Sequence, residues 1–418
     1  MLLPTRPLPL GAFPLPFGFL LLPPGEETEP VRVGLLAGRL PERWPASLSG
    51  HRAALAGDLD AARAAFGGLD PVSRFNRFVL DPDAVDQQAL RADLGPLGVL
   101  VDLVEFATSR SDAAPDPAGY DLDMEALLLA ARAVQALTSP ERTAEAVATL
   151  REAVAAAEPV SAALAGVLHG ALGQTCKDLG DPTAAIEALR AGIALLADTD
   201  LTVARAEQHL ELAATYHELA ADADAANAPP MTGQAMLNRA VQCYHNALQE
   251  INAECAPEQW AAAHAGLAAA YLTMPMSEAG DQLRLGVAVG SLRAALTVYT
   301  MASHPAEWSS AQLNLANALV YAPSRHQGDN LAEAVELYEA VLGARSREAD
   351  PVGYARALAN QGNALAHLGM FDQARAKLAE ARSLFEESQD WAALSTVRTL
   401  LDDLARQQRS AREVPADA

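Results

Sequence analysis

The sequence predicts an all-α chain, a solenoid of about six antiparallel helix pairs behind a degenerate helical cap. Three observations lead there. Half of the residues are hydrophobic while only 5% are aromatic, and the surplus is alanine and leucine, both strong helix formers. A β-sandwich or barrel would carry more aromatic and β-branched residues. A short stripe of small and large apolar residues recurs six times between positions 146 and 382. Prolines and glycines fall where helix starts and helix ends require them.

Charge and motif content narrow the function. There are 30 Lys and Arg against 53 Asp and Glu, a formal charge of −23. Lys177 and Lys377 are the only lysines. A binder of phosphate backbones needs a basic face, so no nucleic acid is expected as partner. Cys176, Cys243 and Cys255 show no CxxC spacing, which supports neither a zinc site nor a disulfide framework. They read as buried or incidental thiols in a reducing cytoplasm. No HExxH, GxSxG, GxxxxGK[ST] or GxGxxG is present. No catalytic residue, metal or cofactor is therefore assigned, and the chain is expected not to be an enzyme. His209 and His217 stand two helical turns apart, about 12 Å of rise, and read as groove or surface histidines.

The first 30 residues form an apolar, proline-rich arm, with prolines at 4, 7, 9, 14, 16, 23, 24 and 30. Its longest proline-free apolar run, Phe17 to Leu22, is far short of the roughly 20 residues that span a bilayer. It is also shorter than the about 7–15 residues of a signal core. No membrane span is expected. The arm reads as extended or polyproline-like: an apolar strap docked on its own solenoid or on a partner, a disordered tail, or the product of an upstream start codon wrongly chosen. Residues 31–108 read as the degenerate helical cap. Ala56-Gly57-Asp58 opens a turn into a short helix ending near Phe66, and a helix before it is cut short by Pro45. Ala84 to Ala107 reads as one or two helices, interrupted near Gly95-Pro96. Residues 109–119, polar with Pro115 and Pro117, form a linker.

Residues 120–408 carry the repeats. The stripe occurs as Ala146-Val147-x-x-Leu150-x-x-Ala153-Val154 and again from Ala185, Ala240, Ala288, Ala334 and Ala374. The intervals run from 39 to 55 residues. Positions i, i+4 and i+7 share one helix face, so each copy is an amphipathic helix with a small–large–small stripe. A second helix precedes each of the last five copies, marked by a leucine–small pair: Leu172-Gly173, Leu212-Ala213, Leu267-Ala268, Leu315-Ala316, and Gln361-Gly362 with glutamine in the leucine place. Pro257-x-x-Trp260, Pro305-x-x-Trp308 and Pro351-x-x-Tyr354 start three of these helices, and proline is tolerated at a first helical position. Ser139-Pro140 and Asp181-Pro182 read as caps before a first-position proline. Leu179-Gly180-Asp181 and Leu368-Gly369 read as tight links with glycine at the helix end. The first pair is expected at Leu122–Leu137 with Glu141–Ala157. Trp391 to Leu404 closes the stack as a capping helix, and 409–418 is a disordered tail.

Taken together, the helix pair, the leucine–small pair, the Leu-Gly-Asp turn and the Ala…Tyr/Leu…Ala stripe resemble the tetratricopeptide repeat. Ala56 to Phe66 resembles the turn and second helix of one such unit. Residues 255–385, with Pro-x-x-Trp, Asn314-Leu315-Ala316-Asn317-Ala318 and long spacing, resemble the long-period bacterial arrays that accompany caspase-like peptidase or nucleotide-binding signalling modules. The resemblance implies a right-handed α-solenoid that binds another protein or a peptide and is not itself an enzyme. It also implies a concave groove lined by the first helix of each pair. Transferred to this sequence, groove positions fall on Gln174, Asn317 and Asn363, then on Lys177 and His217, with Arg356 and Glu207 facing the same groove. Asn317 and Asn363 would either bind a peptide backbone or close hydrogen bonds within the helices. Lysines of a terminal-carboxylate clamp are missing, since the places two before the leucine hold Gly170, Leu210, Ala265, Leu313 and Ala359.

The links inside three pairs are long, with insertions centred on 222–234, 273–286 and 321–330. Equivalent loops line one edge of a solenoid, so Met231, Met274, Met276 and Arg325 are expected on one edge surface, where methionine offers adaptable apolar contact. Such insertions often mark a binding face, and loops also tolerate length cheaply. The expected function is a non-enzymatic interaction scaffold. The alternatives are a small-ligand-binding or enzymatic helical shell, and a peptide-responsive regulator. Neither the partner's identity nor the oligomeric state follows from the sequence.

Overall fold

A computed structural model describes residues 4–5, 20–225, 230–275, 281–322 and 326–413. The described residues form nineteen α-helices and one two-stranded antiparallel ribbon. The ribbon pairs β1 (Pro4–Thr5) with β2 (Leu20–Leu21). Six short helices follow: α1 (Glu29–Leu36), α2 (Ser49–Leu55), α3 (Leu59–Ala65), α4 (Pro71–Leu80), α5 (Gln87–Leu94) and α6 (Val99–Ala107). Longer helices come next: α7 (Leu122–Leu137), α8 (Thr143–Ala157), α9 (Ala162–Asp178), α10 (Pro182–Leu196), α11 (Thr202–Ala225), α12 (Pro230–Glu250) and α13 (Pro257–Thr273). The chain ends with α14 (Asp281–Ala295), α15 (Pro305–Tyr321), α16 (Gln327–Ala344), α17 (Pro351–His367), α18 (Phe371–Glu387) and α19 (Trp391–Glu413). Two compact units divide it, Met1–Leu219 and Ala220–Ala418. The fold is all-α, with helices packed in consecutive pairs.

In the first unit, capping carboxylates start three of the six short helices, α3, α4 and α5. Asp58, Asp70 and Asp86 each accept from a backbone N–H three residues on, at 3.0–3.1 Å. This relieves donors that a helix start leaves open. Phe75 and Phe78 of α4, Leu90 of α5 and Leu100 and Leu103 of α6 close a core with Leu20 and Leu21. Met124, Leu127 and Leu128 of α7 belong to the same core, so these short helices are packed onto the first long pair. Helices α1 and α4 are found where the sequence reading placed no element. Both start at a proline in the first turn. The turn after α1 docks on later joints: Ser161 Oγ donates to the Leu36 carbonyl at 2.5 Å, and Asp200 Oδ2 accepts from Leu40 N at 2.7 Å.

The stripes are buried throughout. Ala146, Leu150 and Ala153, Ala185 and Leu189, Ala240 and Ala247, Ala288, Leu292 and Ala295, Ala334, Tyr338 and Val341, and Ala374, Leu378 and Ala381 are all in the core. The leucine–small pair explains why. A Cβ built on Gly173 would lie 2.5 Å from Leu189 Cγ, and one on Gly362 would lie 2.8 Å from Leu378 Cγ. The small residue of the first helix is the notch, and the large stripe residue of the second is the knob. The paired contacts α7–α8, α9–α10, α13–α14, α15–α16 and α17–α18 follow from it.

The joints show both agreement and correction. Gly180 and Gly369 adopt left-handed φ of 73° and 75°, and Asp181 caps α10 through Ala184 N at 3.0 Å. Helices α13, α15 and α17 begin at Pro257, Pro305 and Pro351 as the entry motif requires. Ser139-Pro140 instead leads into a 3-10 turn, Pro140–Arg142, and α8 begins only at Thr143 with no side-chain cap. The first long insertion is largely helix rather than loop: α11 runs 24 residues and α12 runs 21, against 17 for α9. Helix α19 continues to Glu413, beyond the expected boundary at 408.

Tyr338 lies fully inside, and the flanking Ala334 and Val341 are inaccessible as well. Ala334→Leu should overpack this joint and cost roughly 1–3 kcal/mol. Thermal denaturation checks it, and an unchanged midpoint would mean the stripe does not set the joint.

Candidate functional site

First helices of successive pairs lie beside one another in the second unit, where α15 touches both α13 and α17, and α17 touches α19. Side chains that point along this face must satisfy themselves across neighbouring first helices, because the stripes take up the other face. This places the candidate residues on seams between first helices.

In the first unit the seam joins α9 and α11. Lys177 Nζ sits 3.1 Å from Glu211 Oε2 and 3.5 Å from Glu218 Oε1. Burial opposes its charge, but the two carboxylates outweigh burial and hold the ammonium above its ordinary range. His217, half-buried, is pushed down mainly by burial, against the pull of Glu218. Gln174 spends its Nε2 on Asp178 Oδ1 at 2.9 Å, one turn along the same helix. Glu207 is exposed. Its neighbour Gln208 is the buried one, and its Nε2 donates to the Gly166 carbonyl at 2.8 Å, tying α11 to α9. The sequence reading missed Glu218 and Gln208, and noted Glu211 only beside the two histidines. The seven-residue spacing of the two glutamates, two turns on one face, was the available signal.

In the second unit the seam joins α15 and α17. Asn317 Oδ1 accepts from the Tyr338 hydroxyl at 2.6 Å and from Asn360 Nδ2 at 3.0 Å. Asn363 Nδ2 donates to the Tyr321 hydroxyl at 3.3 Å. Both candidate asparagines therefore serve helix-to-helix bonds, and they lie on one seam. Burial pushes the Tyr338 phenol far above its ordinary range, with Tyr321 nearby adding to the rise, so Tyr338 acts here as a neutral donor. Tyr321 is 60% exposed. Arg356 stands apart, exposed and 3.5 Å from Asp390 Oδ2. Asp390 also accepts from Ala393 N at the start of α19. Gln361, in the leucine place, is buried because its Nε2 donates to Glu339 Oε2 at 2.7 Å. Lys377 holds the same carboxylate at 3.2 Å. Gln361 and Lys377 together keep Glu339 below the usual carboxylate range.

The expected edge surface takes a correction. Met274 is buried, 4% exposed, with its sulfur 3.4 Å from Arg284 Nη1 of α14. Met276 and Arg325 lie outside the described residues, as does the side chain of Met231. Among the described residues no three of His, Cys, Asp and Glu converge as a metal-holding group. No described helix is long and apolar enough to cross a membrane.

Comparison with known proteins adds one local match. Residues 168–195, covering the end of α9 and nearly all of α10, match the tetratricopeptide repeat. No curated protein matches the chain in sequence. Among solved structures, the MamA protein is similar over 54% of this chain and 94% of its own, at 18% identity and a TM-score of 0.36. A Podosopora anserina putative kinesin light chain with nearly identical TPR-like repeats is similar over 53% and 95%, at 20% identity and a TM-score of 0.36. The APC/C hetero-tetramer Cut9–Hcn1 is similar over 86% and 89%, at 12% identity and a TM-score of 0.24. At these TM-scores the likenesses carry no argument, and the repeat rests on the local match and on the chain's own pairs.

The Asn317–Tyr338 bond has a stability consequence. Asn317→Ala would leave a buried hydroxyl without its acceptor and should cost about 1–3 kcal/mol. Tyr338→Phe in the same chain should recover most of that loss. Denaturant titration of the single and double variants checks this. A double variant as unstable as Asn317→Ala alone would show that the hydroxyl is not what Asn317 serves.

Proposed function

We propose that this chain is a non-enzymatic interaction scaffold that binds an extended segment of another protein along the first-helix face of its pairs. The α15–α17 seam is the contact we assign to the peptide backbone. One observation carries this reading. Asn317 Nδ2 and Asn363 Oδ1 have no bond within the described protein, although the other atom of each amide is used. A donor and an acceptor thus remain on one half-exposed seam, beside the exposed Tyr321 ring. A peptide group needs one of each, and an aromatic ring with a polar tip is a frequent interface anchor. In the first unit Lys177 is already held between two carboxylates, so that seam offers no open clamp of its own.

The local tetratricopeptide match supports a protein partner over a small molecule. The resemblance of residues 255–385 to arrays that accompany signalling enzymes makes a caspase-like or nucleotide-binding protein the first partner to try. Asn317 is unsuited to a binding test, because its loss disturbs Tyr338. The test is the pair Asn363→Ala and Tyr321→Ala in the full chain. Two lost contacts of about 1 kcal/mol each should weaken a captured partner by tenfold or more in titration, with the melting midpoint close to wild type. Equal affinity in wild type and variant would move the site off this seam.

A further inference from the structure

We propose that the strap Leu20–Leu22 is an acid-released latch, docked while the His51 imidazole is neutral and freed when that ring takes up a proton. The strap is an apolar segment gripped by its backbone. Leu20, Leu21 and Leu22 are essentially inaccessible. Asn76 of α4, itself buried, brackets the backbone of one residue: its Oδ1 accepts from Leu21 N at 2.7 Å, and its Nδ2 donates to the Leu21 carbonyl at 2.8 Å. His51 of α2 adds a second donor, with Nε2 3.0 Å from the same carbonyl. That geometry selects the tautomer with its proton on Nε2, since the other tautomer would set a lone pair against the carbonyl. Nδ1 is left buried and without a hydrogen-bond partner. The Phe66 ring meets the imidazole edge-on at 5.1 Å.

A second proton has nowhere favourable to go. It would place an N–H donor on Nδ1, with no acceptor, and a full charge in an apolar core. Everything in contact with the ring is uncharged: the Leu21 carbonyl, the Asn76 amide and the Phe66 ring. The charged groups on the elements packed around it are occupied elsewhere or exposed. Arg52 on α2 is exposed. Asp58 caps α3, and Asp60 pairs with Arg63 on that helix. On α4, Arg74 pairs with Asp93 and Arg77 with Asp81. The 3-10 turn Ala46–Leu48 and β2 carry no titratable side chain. Burial, only partly opposed by the Leu21 carbonyl, holds the docked imidazole down to about 4.

The sign follows from linkage. An undocked imidazole titrates near 6.5 and the docked one near 4. Docking is therefore at full strength above pH 6.5 and weakens as pH falls through that window. Uptake of one proton on opening raises the opening constant about tenfold for each unit of pH. Release uncovers Leu20–Leu22 together with the slot lined by Phe75 and Phe78.

Hydrogen exchange of the full chain tests the latch, following the Leu21 amide from pH 7 to 4.5 after correction for intrinsic exchange. In wild type its opening constant should rise about tenfold per unit below pH 6.5, while segment 331–342 in the second unit keeps its protection. His51→Gln retains a donor but cannot titrate, and should abolish the rise. If that variant is already open at pH 7, His51→Phe, which can pack against Phe66, takes its place. A flat wild-type profile, a rise that survives in the non-titrating variant, or loss of protection in both units together would each overturn the proposal.

Discussion

The structure depends on one repeated contact, a large side chain of a second helix seated against a small residue of the first. Leu189 against Gly173 and Leu378 against Gly362 show it most directly, because a single Cβ at either glycine would collide. The contact sets how closely two helices of a pair approach. Fully burying one such leucine is worth about 1.5–3 kcal/mol, and close packing makes the fit sensitive to one methyl group. The alanines that flank most of the knobs serve the same end. They give the neighbouring backbone room without adding side-chain entropy to be lost on folding.

Everything polar is arranged around what that contact leaves over. Once the stripes face inward, the remaining side chains of a first helix meet those of adjacent first helices. The result is a seam of ion pairs at Lys177 and a seam of amides and phenols at Asn317, Asn360, Asn363 and Tyr321. Where a polar residue does enter a packing place, it brings its own partners. Gln361 stands where other repeats have leucine and is held by Glu339, which Lys377 holds in turn. A buried donor is tolerated there because it is bonded.

The N-terminal part obeys a different rule. Its helices are too short to pair by the stripe, so they close around chain that is not helical at all. Leu20–Leu22 fill the slot that the short helices leave, and Asn76 supplies the hydrogen bonds that a neighbouring strand would otherwise give. The site reading divides along the same line. A groove position can be counted from a repeat, but what occupies that position is decided by the residue across the seam.

Local rules in the sequence determined the helix pairs, their stripes, the left-handed glycines at 180 and 369 and the proline starts at 257, 305 and 351. These depend on a 3.6-residue period and on the few residues at a helix end. Helix α7 falls on Leu122–Leu137 as its pattern required. Tertiary structure alone decided the rest. It gave Asn317 to Tyr338, set Met274 against Arg284, turned an insertion into longer helices at α11 and α12, and placed Leu21 between His51 and Asn76. Each of these joins residues far apart in the chain or weighs one packing against another. A periodic pattern records which face of a helix is apolar. Which partner meets that face, and which polar group is left without one, is settled only when distant segments compete for the same space.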